Sequence, residues 1–102
     1  MLCHFHTGNV TFFNEDENYF RKRLEGLQRF MSRGRENSDS VNLHVHIEKN
    51  RHHSGKRFKS KATIFYPGKV LHAEVDTENI KKGADLLNSK LKHQLEKIHG
   101  SH

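Results

Sequence analysis

The chain has 102 residues, with 18 Lys and Arg against 12 Asp and Glu, ten His, one Cys and no Trp, for a net charge of +6 and a pI near 9.7. That length supports one core of modest size and excludes a multi-domain enzyme. The single Cys3 excludes an internal disulfide and a thiolate-built zinc site, and no apolar run approaches the roughly 20 residues that cross a bilayer.

In chain order, Met1-Leu2-Cys3-His4 lacks the basic-then-apolar layout of a signal peptide, so the expectation is a soluble cytoplasmic protein with no membrane partner. Residues Leu2 to His6 alternate, Cys3 and Phe5 on one side and Leu2, His4 and His6 on the other, as in a half-buried strand that ends at the turn Thr7-Gly8-Asn9. Asn14-Glu15-Asp16-Glu17 offers an N-cap side chain and acid in the first turn, where the helix dipole favours negative charge. A helix is expected from Glu15 to Met31, with Phe20, Leu24, Leu27 and Met31 as its apolar stripe, ending near Arg33 in the polar run Ser32 to Ser40. Val41, Leu43, Val45 and Ile47 alternate with Asn42, His44, His46 and Glu48 and predict a second strand.

The stretch Lys49 to Lys56 is polar and holds a Ser-Gly signal, so it reads as a basic hairpin loop before a third strand, Arg57 to Tyr66. Pro67-Gly68 suits the centre of a tight turn into a fourth strand, Lys69 to Val75. Asp76 or Thr77 is then placed to cap a second helix, in which Ile80, Ala84, Leu87, Leu91, Leu95 and Ile98 make an apolar stripe. The order is β-α-β-β-β-α. Two amphipathic helices need one apolar surface, and a four-stranded sheet with one apolar face supplies it, so the expected architecture is an α+β two-layer sandwich with both helices on the same side. Residues 1–98 make that single domain, and 99–102 are a short tail, of which Gly100-Ser101-His102 reads as an appended remnant.

A small domain that keeps six surplus positive charges has a polyanion to meet, unless the charge serves only solubility; patterning decides between the two. On the first helix Lys22, Arg29 and Arg33 lie nearly opposite the apolar stripe, with Arg21 and Arg23 on its flanks. On the second, Lys82, Lys90, His93 and Lys97 follow one flank, and Lys81, Lys92 and His99 the other. With Lys49, Arg51, Lys56 and Arg57 in the hairpin, these cations are arranged to follow phosphates over several nucleotides. The plainer alternative is a pair of ordinary solvated faces, and Asp85 and Glu96 dilute the pattern.

The outward side of the sheet adds His4, His6, His44, His46 and His72, with Lys59 and Lys61. Paired His-x-His is a weak candidate for a transition metal at His4, His6, His44 and His46, since two-residue spacing is what any strand with outward histidines shows and no carboxylate or thiolate fixes the set. No metal or other cofactor is assigned. A second use is electrostatic, because imidazoles gain charge as pH falls toward about 6 and tighten contact with a polyanion. Enzyme readings find little support: there is no nucleophile elbow, no Walker loop and no Gly-x-Gly-x-x-Gly. His44, His46 and Glu48 share a strand face, which a solvated strand explains better than general acid-base chemistry.

Five fragments in order carry a resemblance: His6-Thr7-Gly8-Asn9-Val10; the basic helix from Phe20 to Phe30; Val45-His46-Ile47-Glu48-Lys49; Tyr66-Pro67-Gly68-Lys69-Val70-Leu71-His72-Ala73-Glu74; and Asp85 to Lys97 with its Lys-Leu and Gln-Leu pairs. The chain resembles the ribosome hibernation promoting factors of the sigma-54 modulation, ribosome-associated inhibitor A family over residues 1 to about 98, and among them the short type. The resemblance implies a fold similar to a double-stranded-RNA-binding domain, no enzymatic activity, and a cationic surface that docks on small-subunit ribosomal RNA in the decoding channel. Ribosomes would thereby be silenced in stationary phase or stress, and the partners it implies are the small subunit, whole ribosomes and other hibernation factors. Carried over by position, Lys22, Arg23, Arg29, Lys90, Lys92 and Lys97 are the expected phosphate contacts, with Arg33, Lys82 and His93 beside them. His93 stands where the family commonly has Arg, and Lys81-Lys82-Gly83 replaces its usual Tyr-Ala-Ala. The alternative is a general module for structured RNA away from ribosomes.

Overall fold

In the computed structural model the residues described are 1–31, 41–49 and 57–99. The elements are β1 (Leu2–Thr7), α1 (Asn14–Glu25), a 3-10 segment (Gly26–Phe30), β2 (Asn42–Lys49), β3 (Phe58–Tyr66), β4 (Lys69–Thr77) and α2 (Ile80–His99). They form one mixed sheet in the order β1-β2-β3-β4, with β1 parallel to β2 and the other pairs antiparallel. A parallel pair needs a crossover between its strands, and α1 lies in that connection. The expected β-α-β-β-β-α sandwich is the one observed.

Alternation places the core as expected. Leu43, Val45 and Ile47 of β2, Ala62 and Ile64 of β3, and Leu71, Ala73 and Val75 of β4 are buried against Phe20, Leu24, Leu27 and Met31 on one side of the helix layer and Ala84, Leu87, Leu91 and Leu95 on the other. Cys3 and Phe5 of β1 are half-buried, and the Phe5 and Phe12 rings pack on Phe20 with centroids 6.4 and 5.8 Å away. Between β3 and β4, Gly68 has φ 82°, the left-handed value that a Pro-Gly turn requires of its second residue and that glycine adopts without cost.

Three local expectations differ from the structure. The single helix to Met31 is α-helical only to Glu25 and tightens into a 3-10 turn from Gly26, the poorest helix former in the segment. Leu27 and Met31 remain buried, because one tightened turn rotates them little from the stripe. At the start of α1 the cap residue is Phe13 rather than Asn14, and the Asp16 carboxylate accepts the Phe13 N–H at 3.1 Å. At α2, Asp76 is taken by the Arg57 guanidinium at 2.8 Å and Thr77 remains in β4, so Asn79 caps instead, its Oδ1 accepting from the Lys81 and Lys82 N–H groups at 2.8 and 3.2 Å. Arg33, the polar run to Ser40, the loop cations Arg51 and Lys56, and the residues after 99 lie outside the described residues.

The first turn of α2 approaches β3 closely. A methyl group on Gly83 would lie 2.9 Å from the Ser60 hydroxyl oxygen, and that buried hydroxyl has no hydrogen-bond partner among the described residues. Alanine is otherwise preferred in a helix over glycine by about 1 kcal/mol. Gly83→Ala is therefore expected to gain at least about 1 kcal/mol more stability in a Ser60→Ala background than in the unaltered protein. Equal effects of Gly83→Ala in the two backgrounds, measured by urea unfolding, would remove the contact as the reason for glycine here.

The side chains that point away from the helices fall into rows across the sheet. Leu2, Asn42, Phe65 and Val70 form the first; His4, His44, Thr63 and His72 the second; His6, His46, Lys61 and Glu74 the third.

Candidate nucleic-acid interface

The helix layer brings part of the expected cation set together. Lys22 and Arg23 leave the exposed side of α1, Arg29 leaves the 3-10 segment, and Lys92 leaves the α1-facing flank of α2; with Gly26, Phe30 and Asn88 they line one open groove between the helices. The half-buried Phe30 ring organises two of them, with the Arg29 guanidinium carbon 5.2 Å and the Lys92 Nζ 5.4 Å from its centroid. Among the described residues no carboxylate pairs with Lys22, Arg29 or Lys92.

Acidic partners gather elsewhere along the helix seam. Arg21 pairs with Glu17 at 2.7 Å, and Lys81 with Glu15 at 3.1 Å. Arg23, expected as a phosphate contact, donates to Asp85 at 2.8 Å, and the Tyr19 hydroxyl donates to the same carboxylate oxygen at 2.7 Å. The Tyr19 hydrogen bond, with help from Arg23, holds the Asp85 carboxyl below the usual aspartate range, and the same bond to Asp85 pushes the Tyr19 phenol up. Asp85 thus ties α1 to α2 and orients Arg23 at the end of the groove.

Lys82, Lys90, His93 and Lys97 do not enter the groove. They are exposed on the outward side of α2, where Lys90 Nζ donates to the Glu74 carbonyl at 2.9 Å and its neighbour Gln94 donates to the His72 carbonyl at 2.8 Å. The expected contacts therefore divide between a groove and the solvent side of one helix, all in the same layer. Gly26, Phe30 and Asn88 are the groove residues that sequence reasoning missed. Phe30 falls off the apolar stripe, and only the tertiary approach of Lys92 shows what its ring does.

On the opposite face of the sheet the histidine rings stack. His4 lies 4.5 Å from His44, His6 4.5 Å from His46, and His6 5.6 Å from His44, with ring planes within 15° of parallel. His6 Nε2 and His44 Nδ1 approach to 3.3 Å, but no group of three or more His, Cys, Asp or Glu side chains able to hold a metal ion occurs among the described residues.

The profile of the sigma 54 modulation protein / S30EA ribosomal protein family matches residues 4–102. The chain belongs to that family. It is on this ground a ribosome-associated modulation factor, in a family of such factors rather than of enzymes. The family fold recurs in solved structures. A ribosomal subunit interface protein from Coxiella burnetii is similar with a TM-score of 0.75 at 22% identity, over 99% of this chain and 100% of that one. The N-terminal domain of Protein Y from Thermus thermophilus is similar with a TM-score of 0.79 at 16% identity, over 97% and 100%. No curated protein matches the chain. Among the described residues no helix is long and apolar enough to cross a membrane.

Proposed function

We propose that this family member binds the small ribosomal subunit through ribosomal RNA, in the channel that messenger and transfer RNA occupy, and silences ribosomes in stationary phase or stress. The observation that carries this reading is the groove, in which Lys22, Arg29 and Lys92 stand together around Phe30 with no carboxylate partner among the described residues. Phosphates along an RNA strand are recognised by such clustered cations, and folded RNA is read mainly through its shape and backbone. The outward Lys82, Lys90 and Lys97 of α2 extend the positive surface beyond the groove.

The mechanism is occlusion. A rigid two-layer domain seated in the channel fills volume that transfer RNA needs, and its hold comes from many charge contacts rather than from bond making. That requires no cofactor. Sucrose-gradient sedimentation with ribosomes from resting cells tests the reading: the protein is expected to travel with the small subunit and with intact ribosomes. Migration with bulk RNA alone would make it a general binder of structured RNA and overturn the assignment to the ribosome.

A further inference from the structure

We propose that the open face of the sheet is a second nucleic-acid site that takes unpaired nucleotides, whose bases lie against the histidine stack and Phe65 while their phosphates meet Lys61 and Lys59. The site lies on the layer opposite the helix groove and is independent of whether the groove docks on ribosomes.

The strand register builds this surface. Parallel pairing sets His4 beside His44 and His6 beside His46, so four imidazoles stand in stacked array on the β1 half of the face. His6 Nε2 and His44 Nδ1 are 3.3 Å apart, and the His4 Nε2 is 3.1 Å from the Asn42 side-chain oxygen, so hydrogen-bond contacts link the rings across the two strands. Phe65 continues the array from β3, perpendicular to the His44 ring at 5.8 Å, and is 45% exposed. Sheet faces that present aromatic side chains are a recurrent way of holding splayed-out bases, and each stacked base adds about five- to 150-fold in affinity whatever its sequence.

The lysines and carboxylates on this face balance, so it is protonation of the histidines that makes it favour a polyanion. Lys61 stands between His46 and Glu74, and Lys59 between Glu48 and Asp76, which the Arg57 guanidinium also holds. The other carboxylate close to the histidines, Glu74, faces Lys61 and is bonded by His72 at 3.2 Å. Glu48 lies beside His6 and His46 at one end of the array, and among the described residues no carboxylate pairs with His4, His6, His44 or His46. Burial first, and then the positive charge of His4, His6 and His46, holds the His44 imidazole below its ordinary range. Phosphates set over the array offset the repulsion among the imidazoles, so binding takes up protons and strengthens as pH falls.

The test uses the full chain and an unstructured oligouridine of about eight nucleotides, a length suited to one small binding face. Nuclear magnetic resonance of the labelled protein is expected to show perturbation of His4, His6, His44, His46 and Phe65. Affinity is expected to rise at least about tenfold between pH 7.5 and about pH 6. His4→Gln/His44→Gln, checked for unchanged thermal unfolding, is expected to keep less than about a threefold pH effect, with His6→Gln/His46→Gln as the second pair if the first is unstable. Lys22→Glu/Lys92→Glu is expected to retain the full pH effect. Shifts confined to the helix layer, affinity independent of pH, or an unaltered pH effect in both histidine variants would overturn the proposal. So would sheet-face shifts that follow protein concentration instead of RNA, which would make this a self-association surface. Because no ribosome is present, this result and the sedimentation result fail or succeed separately.

Discussion

Lys22→Glu/Lys92→Glu is expected to lower ribosome affinity by on the order of a hundredfold, and to flatten its salt dependence by about two phosphate contacts. Each cation that neutralises a phosphate releases a counterion, so the logarithm of affinity falls with the logarithm of salt in proportion to the number of contacts. With about six contacts, the unaltered protein should lose roughly a thousandfold between about 50 and 200 mM salt, using the duplex coefficient as a guide. Neither lysine supports the core. Lys22 is exposed, and Lys92 contributes a cation over the Phe30 ring worth about 0.5–1 kcal/mol. Lys81→Glu is the control, because that lysine is engaged by Glu15 at the other end of the seam and lies outside the groove. The double variant changes the net charge by four and the control by two, so a control loss half as large on a logarithmic scale would show that net charge alone matters. Binding indifferent to salt would remove electrostatics from the account.

Phe20→Ala is expected to cost about 3–5 kcal/mol, a large part of the total of about 5–15 kcal/mol that holds a domain of this kind. Phe20 is fully buried where α1 meets the sheet, and its ring is the one on which Phe5 and Phe12 both pack. Truncation removes the partner of two half-buried rings at once, and a site bounded by strands collapses poorly. Phe13→Ala provides the contrast. That ring is 65% exposed, and its loss should change stability by no more than about 0.5 kcal/mol. Chemical denaturation of the two variants checks both values, and a loss below about 1.5 kcal/mol for Phe20→Ala would relocate the centre of the core.

Much of this architecture was legible because burial has a period. Val41 to Ile47 alternates strictly, and Ile80 to Ile98 repeats at helical spacing, so each element declared its buried side. What the chain did not disclose is decided by partners distant in sequence. Asp76 cannot cap α2 because Arg57, 19 residues away, holds it. Arg23 is engaged by Asp85 across 62 residues. The stripe Leu24, Leu27, Met31 fits an α-helix and a tightened turn alike, so periodicity could not mark the change at Gly26. For the candidate site, residue type and helical face identified the cations, but the division between groove and outer side follows from how the two helices lie against each other.

Lys90 and Gln94 reach over from α2 to the carbonyls of Glu74 and His72 on the last strand of the sheet. An outermost strand with vacant acceptors invites further strands to add, the first step toward fibrous assembly. Here two of those acceptors are already occupied, and by side chains that keep a positive charge and an amide at the rim. A polymer of stacked sheets is thereby discouraged at its point of entry, and a lysine drawn away toward RNA phosphates would leave that rim guarded by glutamine alone.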